Sequence, residues 1–173
     1  MTNKDRWQVA VHESAHGVAA IALGGTCSQL SVHSDGGGMA FIRGLIPFDN
    51  AVAVAAPKAA SEILGDVQAP AIEPTTELLD VRTSVADLTP REKLANIAAR
   101  FPPHSTPTDE QVIAAYCING VEHEHERWAE RYHLVHHIAY QVVRNHRDQI
   151  LRVARELFMR GVLSQDEIKR AIQ

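Results

Sequence analysis

The sequence predicts a mainly α-helical domain with a small β-sheet near its N-terminus, and three observations predict it. Apolar residues recur at spacings of three and four from Trp7 to Ala22. Two short strand-like runs flank a Gly-rich turn at Ser34–Gly38. From Asn50 onward, helix caps and Gly or Pro stops bracket Ala-rich or charged segments.

The elements follow in order. Asn3–Leu23 reads as a helix whose stripe is Trp7, Val11, Ala15, Val18 and Ala22. Thr2 or Asn3 can cap its start, and Gly24-Gly25 can adopt the left-handed backbone that ends it. Gln29–His33 and Met39–Arg43 form a hairpin across Ser34-Asp35-Gly36-Gly37-Gly38. Asn50–Leu64 is an Ala-rich helix interrupted early by Pro57 and closed by Gly65, and Asp66–Thr76 is a loop. Thr89-Pro90-Arg91-Glu92 opens a helix to about Arg100. Thr108 or Asp109 opens the next, to about Ile118, before the Asn119-Gly120 break. A long charged helix runs from Val121 to about Arg144, followed by Asp148–Arg160. Gly161 stops it, and Ser164-Gln165-Asp166-Glu167 caps a last short helix.

The chain of 173 residues suits one domain, spanning 1–173, since domains usually take about 100–200 residues. It has 45% hydrophobic and 22% charged residues, an ordinary globular balance. A net charge of −4 argues against nucleic acid or an anionic membrane as partner. No run approaches the roughly 20 apolar residues of a membrane span, and the N-terminal residues lack a signal-peptide pattern. Cys27 and Cys117 stand far apart, as free thiols of a reducing compartment do. The expectation is a cytoplasmic protein.

Chemistry concentrates in His12-Glu13-Ser14-Ala15-His16, an H-E-x-x-H motif in the middle of the first helix. Positions i and i+4 share a helix face, so both imidazoles can reach one metal ion. Zinc takes imidazole nitrogen at about 2.0–2.1 Å and leaves a position for water when three protein ligands bind. Glu13, about 100° around the helix from His12, is placed to take a proton from that water and return it to the leaving amine. The motif also arises by coincidence, but two histidines and a glutamate on an Ala/Val-rich face are costly to bury without a partner such as metal. The third ligand must come from elsewhere. Glu62, Asp66, Asp80 and Asp87 are candidates, and spacing alone does not choose among them.

Four stretches resemble the peptidase domain of the FtsH-type AAA proteases, and stand-alone relatives of that domain more closely. They are Val9–Val18 with the motif; Leu30–Arg43 with Asp35-Gly36-Gly37-Gly38-Met39-Ala40-Phe41; Ala55–Gly65; and Asn145–Ser164. The resemblance implies an FtsH-peptidase-like zincin helical domain, with Zn2+ held by His12, His16 and an aspartate. It favours Asp87, which Ser84 precedes and Leu88 follows, over Asp80. It implies that Glu62 orients a ligand histidine, a role that competes with a plain surface carboxylate. The sequence departs from the family by Ala15 in place of a motif glycine and by lacking the Gly and Asn before the aspartate. It also carries no ATPase module.

Other residues receive plainer readings. His133 and His137 form an i,i+4 pair that belongs to a solvated helix face rather than a second metal site. His33 and His104 are surface residues, and Trp7 and Trp128 are packing anchors.

Two functions compete. The first is a zinc-dependent peptidase acting on unfolded proteins or peptides, with Glu13 as base and Met39–Arg43 as an edge strand that pairs with substrate backbone. The second is a non-catalytic module that keeps its metal for peptide recognition or structure. The intact Glu13 favours the first, because a structural site needs no general base. A homo-oligomer and a separate ATPase partner both remain open.

Overall fold

In a computed structural model, residues 1–71, 108–121 and 124–173 are described. The chain is mostly helical with one small antiparallel sheet, as the sequence predicts. The elements are α1 (Asn3–Ala22), β1 (Thr26–Val32), β2 (Gly38–Arg43), α2 (Pro47–Leu64), α3 (Asp109–Ile118), α4 (His125–Asn145), α5 (Arg147–Arg160), β3 (Val162–Ser164) and α6 (Gln165–Ile172).

Helix α1 starts on a capping box: the Thr2 hydroxyl accepts from Asp5 N–H, while the Asp5 carboxylate accepts from Thr2 N–H at 3.1 Å. The helix lies at the centre, packed by α2, α5, β1 and β2. From Ala10 to Ala20 every residue but His12 is buried, so Glu13 and His16 of the motif are enclosed while His12 faces solvent.

The sheet order is β2-β1-β3, all antiparallel. Leu30 pairs with Ala40 on one side and Leu163 on the other, and a bulge between Cys27 and Gln29 shifts the register. Strand β3 escapes sequence reading, because three residues between a Gly stop and a Ser cap show no periodicity.

Helix α2 begins three residues before its expected start, with Pro47 in its first turn, where a missing N–H costs nothing. Pro57 lies inside the helix without ending it. Ala53, Ala56 and Ala60 of α2 join a core with Trp7, Val18, Leu30, Leu157 and Phe158. Ala51, Val52 and Ala55 join a second core with Ile113, Cys117, Val135 and Ala139 of α3 and α4. Small side chains let α2 sit closely between both groups. The Trp7 ring meets Phe158 edge-on at 5.9 Å, and its Nε1 donates to the Val67 carbonyl at 2.9 Å, so it is the packing anchor expected. Helix α4 starts at His125, after the expected Val121. The expected helix from Pro90 to Arg100 lies outside the described residues.

Candidate metal centre

His12 and His16 stand one turn apart on α1, their ring centroids 4.9 Å apart and nearly perpendicular. Each Nε2 lies 3.2 Å from the same atom, Asp109 Oδ2. Asp109 comes from the first turn of α3. There Thr108 caps the helix, its hydroxyl accepting from Gln111 N–H and its own N–H donating to Gln111 Oε1 at 2.9 Å. The cap leaves the Asp109 carboxylate free to reach across to α1. Among the described residues, His12, His16 and Asp109 are the one group of three or more potential ligands, their atoms within 4.8 Å of one another.

The three differ in exposure. His16 is buried, whereas the His12 and Asp109 side chains are 46% and 42% exposed, so the site is closed beneath and open to solvent on one side. Below, the ring of His16 is fixed by its other nitrogen, Nδ1, which donates to the Ala53 carbonyl at 2.9 Å. A carbonyl only accepts, so Nδ1 carries the proton. In the neutral ring Nε2 then presents a lone pair to a carboxylate oxygen 3.2 Å away. That contact is repulsive unless a positive charge joins it, either a proton on the ring or a cation among the three atoms.

The titration behaviour agrees. Burial opposes the charged form of His16, but the hydrogen bond and charge of Asp109, the charge of Glu13 and the Ala53 carbonyl together outweigh it and raise its pKa. Burial likewise pushes Asp109 up, yet its contacts with His12 and His16 hold it well below the usual carboxylate range.

Two imidazoles and one carboxylate are a donor set that zinc accepts. Two ligands of a tetrahedral ion at about 2.0–2.1 Å lie about 3.3 Å apart, close to the two separations seen here. The residues fit the ion.

Glu13, only 6% exposed, lies against Gly38 at the start of β2, near enough for its charge to act on His16. Of the other candidates, Asp80 and Asp87 lie outside the described residues, and Asp66 is exposed after α2. Glu62 is exposed on α2, as a plain surface carboxylate is, and the group that orients His16 is the Ala53 carbonyl. Asp109 escaped attention because its sequence setting, Thr-Asp-Glu-Gln, reads fully as a helix start. His133 and His137 are exposed and outside the cluster. His33 is half-buried, its Nε2 3.0 Å from Ser31 Oγ. Cys27 and Cys117 are buried free thiols, and burial pushes Cys27 up to about 12.

Residues 6–69 match the Peptidase M50B-like family. The matched segment carries α1 with its motif, the β1–β2 hairpin and α2. The match supports a metallopeptidase-related family and a peptidase-type hydrolase, without being specific to the FtsH-type domain. A comparison with curated proteins found no match. Among the described residues, no helix is long and apolar enough to cross a membrane.

Proposed function

We propose that this chain is a zinc-dependent peptidase that hydrolyses peptide bonds in peptides or unfolded proteins. The observation that carries this reading is the meeting of His12 Nε2 and His16 Nε2 on one oxygen of Asp109, beside a buried Glu13. The match of residues 6–69 to a peptidase family supports it independently.

His12, His16 and Asp109 would hold the metal, with the Ala53 carbonyl locking the ring of His16. Zinc, when bound, supplies a Lewis acid that polarises a carbonyl and makes water more acidic. Glu13 acts as the general base: it takes the proton of the attacking water and hands it to the departing amine. Strand β2 is at the edge of the described sheet, and an extended substrate chain adds to it by backbone hydrogen bonds. This mode reads main chain, so it suits unfolded polypeptide. Two buried free thiols suit a reducing compartment, and we place the protein in the cytoplasm.

Hydrolysis of casein and of a peptide library tests the proposal. The zinc-loaded protein cleaves; a chelator abolishes cleavage; Glu13→Gln lowers the rate by about 10²–10⁴-fold while retaining zinc. A zinc-loaded protein that cleaves nothing would contradict the enzyme reading and leave a non-catalytic metal module.

A further inference from the structure

Within α2, the helical partner of the Ala53 carbonyl would be the N–H of residue 57. Residue 57 is proline and has none. A proline ring also presses against the carbonyl four residues before it and tilts it outward from the helix. The carbonyl so released is the one that accepts from His16 Nδ1, at 2.9 Å and fully inside the protein. Pro57 is itself buried, and α2 continues past it for another seven residues, to Leu64. A residue that ordinarily breaks a helix thus sits in mid-helix, at the one position that frees this acceptor.

We infer that Pro57 is a positioning residue for the metal site. By withdrawing a backbone donor from α2, it commits the Ala53 carbonyl to His16, fixes the Nδ1–H tautomer and aims the Nε2 lone pair at the metal position. The inference rests on the metal site proposed above, but its structural half concerns the free protein alone.

Two substitutions restore the N–H: Pro57→Ala, and Pro57→Val, which keeps most of the buried volume. In the zinc-free protein at a pH where His16 is neutral, imidazole 15N spectra report the tautomer. The wild type shows His16 protonated at Nδ1, and both variants show a shift toward the Nε2–H form. A chelator-competition titration then shows zinc affinity lowered by about 10–100-fold, the usual effect of losing a group that orients a ligand. Thermal stability should not fall in parallel, because proline is the least favourable residue inside a helix. A protein needing Pro57 only for packing would lose stability in Pro57→Ala while Pro57→Val kept wild-type tautomer and affinity, and that pattern overturns the inference. Should the wild type bind no zinc, the function proposed above fails. The tautomer spectra would still decide whether Pro57 governs His16.

Discussion

The first residue of strand β2, Gly38, lies directly against the Glu13 side chain: a Cβ at Gly38 would stand 2.7 Å from Glu13 Oε1 and 2.6 Å from its Cγ. Real Cβ atoms essentially never come so close, so with any side chain at position 38 something must shift, and the Glu13 side chain is the nearest neighbour. The edge strand and Glu13, the base in the proposed function, thus lie in close contact, which matters if the same strand receives substrate.

Gly38→Ala should therefore lower kcat by about 10²-fold, the order of loss expected when a reacting group is displaced by about 1 Å. Zinc affinity should stay within a few-fold of wild type, since neither histidine nor Asp109 is touched. The added methyl also meets Val9 Cγ1 at 2.8 Å, so the comparison is best made in a Val9→Ala background. Wild-type turnover there would show that Glu13 does not need this slot.

Zinc binding should weaken as pH falls, beginning above the ordinary histidine range of about 6.5. The sign follows from His16: the metal needs its neutral ring, and a raised pKa lets protons compete at higher pH. Below that pKa, affinity should fall by up to about tenfold per pH unit for each proton displaced. Asp109, held low, stays ionised throughout and adds nothing to the slope above pH ~4. Affinity that is flat from pH 8 to 6 would contradict the raised pKa.

Among the described residues, Phe158 is the largest fully buried side chain. It meets Trp7 edge-on and lies beneath the Arg6 guanidinium at 5.5 Å. Phe158→Ala should cost about 3–5 kcal/mol in urea unfolding, from lost transfer energy and the cavity left behind. A loss below about 1 kcal/mol would mean that the core collapses around the gap.

The first helix was legible because one local period encodes it, and the same period put both imidazoles on one face. Caps and glycines likewise gave the hairpin and most of the later helices. What the sequence concealed was tertiary. The choice of carboxylate depends on where α3 docks, and Asp109 looks like any acidic residue in a first helical turn. Strand β3 exists only because β1 offers it an edge. Pro57 reads as an interruption until the partner of Ala53 is known on another helix. The acceptor that orients His16 is a backbone oxygen, and backbone acceptors leave no mark in composition. Asp80 and Asp87 lie beyond the described residues, so the test for them is chemical.

That test is a chelator-competition titration of zinc on wild type, His16→Ala, Asp109→Asn and Asp87→Ala. Asp109→Asn removes the charge while keeping the shape of the side chain. The account predicts about one zinc per wild-type chain, affinity weakened well over tenfold in His16→Ala and Asp109→Asn, and a change of no more than a few-fold in Asp87→Ala. Wild-type affinity in Asp109→Asn, with zinc lost from Asp87→Ala, would contradict the three-residue site at the centre of the account.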